Sequence, residues 1–372
     1  MNKKLIRLSK SCIGENEIAA VEKVLQNEFL GMGKEVEKFE EELNNFFNRP
    51  VVCTVNGTAA LQLALQACQI GLGDEVLVPS LTFIASFQAI SATGATPIAC
   101  DIDSQEFLLS IESAKKNITD KTRAIMPVHY SGGVGDLESL YNFANDNNLR
   151  VIEDAAHAFG TIYNDKKIGS FGDIACFSFD GIKNITSGEG GCLVTNDQKV
   201  LKRARDARLL GVEKDTEKRF KGKRSWDFDV SSQGWRYHMS NLMAAIGIEQ
   251  LKQFEEFAMK RKKLSIHYNK LFQNNKNILP LKRDYSNVVP HIYVVRIPGM
   301  KNRQELKDLM LNYGIEVGYH YKPNHYLSFF KNNKVFPVTD KVFQELLTLP
   351  LHPDLSKSDI EYVSEKLINS IK

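Results

Sequence analysis

No stretch of the chain approaches eighteen consecutive apolar residues, so no membrane-spanning helix is expected. The basic N-terminus, MNKKLIRLSKSC, lacks the apolar core of a secretory signal, and a cytoplasmic protein is expected. Cysteine is scattered: Cys12, Cys53, Cys68, Cys100, Cys176 and Cys192 form no CxxC pair and no Cys/His spacing of a zinc site. Structural metal and redox chemistry are therefore unsupported, and most of these thiols sit in apolar stretches as small hydrophobes. A net charge of +3 is too weak to argue for nucleic acid. Internal repeats and low-complexity linkers are absent as well. What is present is ordinary for a globular chain, 43% hydrophobic and 25% charged, which excludes disorder. A length of 372 residues suggests two or three domains.

The charge is unevenly spread. Lys199 to Arg224 carries eleven Lys/Arg against four Asp/Glu. Such a run is either a solvated helix and loop or a surface that attracts a phosphate-bearing substrate.

Through the first two-thirds, short apolar runs alternate with helical patterns. Strands are expected at Val51–Val55, Glu75–Val78, Thr96–Cys100, Arg123–Val128, Arg150–Glu153, Ile174–Phe179 and Gly191–Thr195. Helical patterns include Thr58–Ile70, Asp136–Asn147 and a long stretch from Ser240 to Leu271. Strands apolar nearly throughout and separated by helices predict a mostly parallel sheet covered on both faces. Ligands bind such sheets at the carboxyl ends of their strands. After Pro280 the pattern becomes a smaller α+β unit, with strands at His291–Ile297 and Glu316–His320 and helices at Arg303–Tyr313 and Ser358–Ile371. The expected division is a helical segment 1–48 packing on the small unit, a large domain 49–240, and a linking helix with the small C-terminal domain over 241–372.

Four segments fall where strands end. Asn56-Gly57-Thr58 stands between a strand and a helix, where free helix amides can hold phosphate or Thr58 can simply cap the helix. Glu153-Asp154-Ala155-Ala156-His157 closes an apolar strand. A buried carboxylate there needs a partner for its charge, such as a protonated heterocyclic nitrogen; the other reading is a helix cap. In Ser178-Phe179-Asp180-Gly181-Ile182-Lys183, a lysine follows a strand end. In a desolvated pocket its pKa falls and it can form a Schiff base with a carbonyl. Ser187-Gly188-Glu189-Gly190-Gly191 is a glycine turn that is neither a Walker loop nor GxGxxG, and it implies only a close backbone approach. A phosphate cradle, a buried carboxylate and a Schiff-base lysine together suit pyridoxal phosphate.

At these residues the chain resembles the DegT/StrS-type sugar aminotransferases, pyridoxal phosphate enzymes of fold type I. The resemblance runs through Gly31-Met32-Gly33, Asn56–Leu61, Pro79–Phe83, Pro127–Tyr130, Glu153–His157, the Ser178–Gly191 block and Leu349-Pro350-Leu351. It implies an aspartate-aminotransferase-like α/β fold: a large domain with a mixed, mostly parallel sheet flanked by helices, plus a smaller α+β C-terminal domain. It further implies that Lys183 is the Schiff-base lysine and general base. Asp154 would face the pyridine nitrogen, the amides of Gly57 and Thr58 with the Ser178 hydroxyl would hold the phosphate, and Phe83 would stack on the ring. His157 stands near the cofactor's 3′ oxygen, where many members carry glutamine; histidine there is similar to members that aminate carbon 4 of the sugar.

The chain departs from the family pattern at Gly234–Met239, where many members carry asparagine and arginine at the positions of Arg236 and His238. The resemblance implies that this loop crosses a homodimer, so that Arg236 would meet the cofactor phosphate of a partner subunit. A dehydratase branch carries histidine at position 183, so lysine there argues for amino transfer. The implied substrates are an amino acid, L-glutamate, and a nucleotide-linked 4-keto-6-deoxy sugar, with Lys214–Arg224 as a candidate contact for the diphosphate. Carbon 3 amination and cyclitol amination stay open, as does a non-catalytic regulator with the same pocket. No metal, nucleic acid or membrane partner is implied.

Overall fold

Runs buried on both sides build the central sheet. The computed structural model describes residues 5–371. In chain order its strands are β1 (Val51–Thr54), β2 (Glu75–Pro79), β3 (Thr96–Cys100), β4 (Thr122–Ile125), β5 (Arg150–Asp154), β6 (Ile162–Tyr163), β7 (Lys166–Lys167), β8 (Ile174–Ser178), β9 (Gly191–Thr195), β10 (Leu279–Pro280), β11 (Tyr293–Arg296) and β12 (Leu346–Leu349). Its helices are α1 (Glu15–Gln26), α2 (Lys34–Phe47), α3 (Gly57–Ala67), α4 (Ile84–Ala92), α5 (Ile111–Asn117), α6 (Leu137–Asp146), α7 (Gln198–Ala207), α8 (Asp215–Phe220), α9 (Asn241–Phe272), α10 (Arg303–Asn312), α11 (Pro337–Glu345) and α12 (Lys357–Ser370).

Seven strands pair in the order β1-β9-β8-β5-β4-β2-β3. β9 is antiparallel to both neighbours, and the remaining pairs are parallel. Side chains alternate across the sheet, so each strand feeds two cores. Leu193 of β9 packs with Leu61 of α3, Phe87 of α4 and Val200 of α7, whereas Cys192 and Val194 pack with Phe39 of α2 and Ile248 of α9. A third cluster sets Leu77, Ile125 and Val151 against α5 and α6. Fully burying one such aromatic or aliphatic side chain contributes about 1.5–3 kcal/mol. The expected mostly parallel, doubly covered sheet is present.

The smaller unit is a three-stranded antiparallel sheet, β10-β11-β12, with α10 and α12 against it. The 32-residue α9 joins the units: Ala244, Ile248 and Phe254 enter the large core, while Leu264, Tyr268 and Phe272 enter the small one. The expected strand Glu316–His320 is not a strand. The backbone there makes isolated bridges, Ile315 with Ile6 and Gly318 with Thr348, because one edge is taken by the N-terminal arm. That arm also donates the Leu8 amide to Glu316 Oε2 at 3.1 Å. The N-terminal segment is thus divided between the units. Ile6 and Leu8 meet the small unit, while α2 buries Val36, Phe39, Leu43 and Phe47 in the large core. Among the described residues no helix is long and apolar enough to cross a membrane.

Candidate active site

The parallel strands deliver their following loops to one edge of the sheet, and reversed β9 starts there. A cavity of 450 Å³ opens at that edge, lined by Gly57, Thr58, Phe83, Asp154, His157, Ser178 and Lys183 among others. Seven of the eight residues singled out from sequence therefore converge.

The phosphate end is built from backbone. Asn56 caps α3: its Oδ1 accepts from the Ala59 amide at 2.8 Å, and its carbonyl accepts from Ala60 at 3.2 Å. The amides of Gly57 and Thr58, in the first turn of α3, form the positive end of the helix dipole and can hold an anion. A Cβ on Gly57 would lie 2.8 Å from that of Ser178, so glycine lets the turn close on the serine hydroxyl. The glycine turn serves the same end from behind. A Cβ on Gly191 would meet the carbonyl carbon of Asn56 and the nitrogen of Gly57, each at 2.6 Å. This turn is the seat of the cradle.

Asp154 is 6% exposed at the end of β5. Ser86 Oγ donates to its Oδ2 at 2.7 Å, and the Ala156 amide lies 3.3 Å from Oδ1. Because Ser86 spends its proton on the carboxylate, Thr82, at 2.9 Å, is the donor to Ser86. Burial pushes the Asp154 carboxyl above its ordinary range; Ser86, Ala156, Lys183 and His129 pull it back. A cationic ring nitrogen beside it would favour the ionised form further.

Lys183 faces the cavity, its Nζ 3.5 Å from His291 Nε2. Burial pulls its ammonium down to about 8, against the opposing pull of Asp154 and Asp180. Such an amine has a far larger neutral fraction near physiological pH than an ordinary lysine, and it is the neutral form that attacks a carbonyl. His157 is held far below its ordinary pKa by burial and is neutral. The Ser131 amide points at its Nδ1 at 3.3 Å, which places the imidazole proton on Nε2, where it is donated to Tyr321 Oη at 2.9 Å. Phe83 caps α4 and lines the cavity at 53% exposure; among the described residues the Tyr321 ring, 5.4 Å between centroids, is the aromatic beside it. An exposed aromatic with one open face suits a flat ring.

Two expected groups lie outside this chain's own cavity. Arg236 is exposed, its backbone bridged to Leu209, and it lines no part of its own chain's cavity. The basic stretch is partly internal and partly exposed. Arg208 is fully buried and paired with Glu40, Arg219 donates to Asp215 at 2.7 Å, and Lys221 lines a separate small cavity beside α2. None of residues 214–224 lines the active-site cavity of this chain. Sequence reading missed Thr82, Ser86, His291, His320 and Tyr321. The first two carry a faint signal, polar residues four apart at the start of an otherwise apolar helix. The other three come from the small unit, which no local pattern ties to Lys183.

The residues fit pyridoxal 5′-phosphate: free helix amides with a hydroxyl, a buried carboxylate, an amine of lowered pKa and an open aromatic share one cavity. The comparisons agree. The profile of the DegT/DnrJ/EryC1/StrS aminotransferase family matches residues 11–368. GDP-perosamine synthase of Escherichia coli O157:H7 is 36% identical over 339 residues, 90% of each chain. The dTDP-4-dehydro-2,3,6-trideoxy-D-glucose 4-aminotransferase of Saccharopolyspora spinosa is 29% identical over 99% of this chain and 97% of its own. Among solved structures, Spr1654 of Streptococcus pneumoniae in its PLP-form superposes with a TM-score of 0.90 at 28% identity, covering 99% of this chain and 98% of that one.

Proposed function

The chain belongs to the DegT/DnrJ/EryC1/StrS aminotransferase family and is a pyridoxal phosphate-dependent sugar aminotransferase; on that premise we propose that it moves the amino group of L-glutamate to carbon 4 of a nucleotide-linked 4-keto-6-deoxy sugar. The observation that carries the assignment of roles is the sharing of one buried cavity by the Lys183 amine and the Asp154 carboxylate, with the amide cradle at its rim. Bound there, the cofactor supplies an aldehyde for the amino group and a ring that withdraws electrons from the reacting carbon. Gly57, Thr58 and Ser178 hold its phosphate, and Asp154 keeps the proton on its ring nitrogen. Phe83 covers the ring. Lys183 Nζ would serve as the base that takes the proton from the amino-acid α-carbon.

Carbon 4 is supported by His157, which lines the cavity, and by two relatives whose names specify nucleotide-linked products or a 4-aminotransferase. A homodimer with shared sites is supported by the loop that carries Arg236. Trp226, Phe228 and Val230 stand 87%, 55% and 47% exposed near it, apolar surface of the kind a partner covers. In this reading Arg236 meets the cofactor phosphate of a second copy with a charge-assisted hydrogen bond. The product would feed surface polysaccharide synthesis in the cytoplasm.

The test is a purified, yellow protein mixed with L-glutamate. Loss of the visible absorbance with formation of 2-oxoglutarate is expected, followed by aminated product when GDP- or dTDP-linked 4-keto-6-deoxy sugar is added. Nuclear magnetic resonance then locates the amine. Nitrogen on carbon 3 removes the positional assignment and leaves the enzyme class, whereas full turnover by Lys183→Ala removes the assignment of Lys183.

A further inference from the structure

Arg261 lies on α9 where the helix passes from the large core to the small one, and it is 2% exposed. Among the described residues it meets no carboxylate. Nη1 donates to the carbonyls of His291 at 3.0 Å and Leu351 at 3.2 Å, Nη2 reaches the carbonyl of Lys183 at 3.5 Å, and Nε has no partner. A buried guanidinium balanced only by carbonyl dipoles is costly, and an apolar side chain would join the two cores without that cost. The tie it makes instead is to the backbone of Lys183 itself and to His291, whose ring lies next to the lysine amine.

We propose that Arg261 is a positioning residue for Lys183: its guanidinium fastens the lysine turn to the small unit, and its uncompensated charge opposes a proton on Nζ. The inference rests on the reading of Lys183 as the residue that binds the cofactor. The groups facing Nζ come from several elements. Asp154 at the end of β5 and Asp180 after β8 favour the charged amine. Arg261 on α9 opposes it, and the buried His157 and His291 and the half-buried His320 are neutral. Removing the single cation from this set leaves the two carboxylates unopposed.

The test is a spectrophotometric pH titration of the holoenzyme, whose visible absorbance follows the proton on the nitrogen that Lys183 contributes. Arg261→Gln should raise the apparent pKa by about one unit, a roughly tenfold change in the proton equilibrium. Arg261→Lys, which keeps a cation, should titrate as the wild type does. A folded Arg261→Gln that titrates with the wild type overturns the proposal. Should that variant not fold, Arg261→Lys decides, and an upward shift in it is equally damaging. Failure of both to fold also overturns the proposal, since the guanidinium would then be a structural tie alone. Borohydride reduction and peptide mapping separate the two claims. Cofactor found on another lysine refutes the reading of Lys183, whereas cofactor on Lys183 with an unmoved titration refutes only the role of Arg261.

Discussion

Replacing Ser86 with alanine isolates the support of the carboxylate from every group that touches the cofactor's phosphate or aldehyde. Asp154 is buried and has two donors, of which the Ser86 hydroxyl at 2.7 Å is the closer and the Ala156 amide at 3.3 Å is the weaker. A hydrogen bond to a charged acceptor contributes about 1.5–3 kcal/mol. Its loss should therefore raise the Asp154 pKa further. The ring nitrogen keeps its proton only against an ionised partner, so the same energy appears as cofactor affinity, about 10- to 100-fold weaker. Thr82 loses its acceptor in the same variant, which adds to the effect. The assay is the dissociation constant for pyridoxal phosphate measured by absorbance between pH 6 and 9, with near-ultraviolet circular dichroism as the check on folding. Thr82→Val should cost less, because Ser86 can still donate. A folded Ser86→Ala protein that retains cofactor as tightly as the parent across that range would refute the claim that this hydroxyl holds Asp154 ionised.

Gly191→Ala sets a methyl 2.6 Å from two backbone atoms of the Asn56–Gly57 turn, so it should cost about 1–3 kcal/mol and loosen the cofactor through its phosphate; thermal melts with and without cofactor read both effects. Glu40→Gln leaves the fully buried Arg208 charge without its ion pair and should cost about 3–5 kcal/mol in urea unfolding; an unchanged midpoint would show that the carbonyl of Cys53 suffices as its partner. Burial also depresses histidine: His238, His320 and His352 are each pulled down to about 4 from an ordinary 6.5. Between those values the unfolded chain takes up protons that the folded chain refuses. Stability should accordingly be intact above pH 6.5 and fall as the pH drops toward 4, by up to about 1.4 kcal/mol per pH unit for each group fully neutral in the fold. A flat urea midpoint from pH 7 to 5 would contradict this.

The large sheet was legible because burial on both faces leaves an unmistakable record in runs such as Ile174–Ser178 and Gly191–Thr195. The site was legible for a related reason. Gly57, Phe83, Asp154, Ser178 and Lys183 each stand within a few residues of a strand end, and parallel topology sends all those ends to one edge. Knowing the strands was nearly enough to know the neighbours. The second unit offers no such guarantee. Glu316–His320 has the composition of a strand, yet its backbone is shared between the N-terminal arm and Thr348, a competition that no local propensity records. Leu346–Leu349, which does pair with β11, passes unnoticed beside Pro350. His291 and Arg261 reach Lys183, and Tyr321 reaches the cavity, through the docking of that unit.

The basic stretch shows the same rule acting on charge. Counting residues from Lys199 to Arg224 treats every ammonium and guanidinium as available to a phosphate. The fold removes the buried Arg208 from that surface and ties down Arg203, while Lys214, Lys218, Lys221, Lys223 and Arg224 stay exposed. Glu40, from α2, neutralises Arg208, and the carbonyl of Ala67, at the end of α3, takes Arg203 at 2.9 Å. Charge near in sequence becomes a surface only where no distant element claims it. Conversely, the cation placed most closely on the lysine turn, Arg261, lies 78 positions away in a helix whose composition looks solvated. Which cation acts on the lysine turn is decided by the elements that meet at the edge of the sheet, and a local sum of charges does not register it.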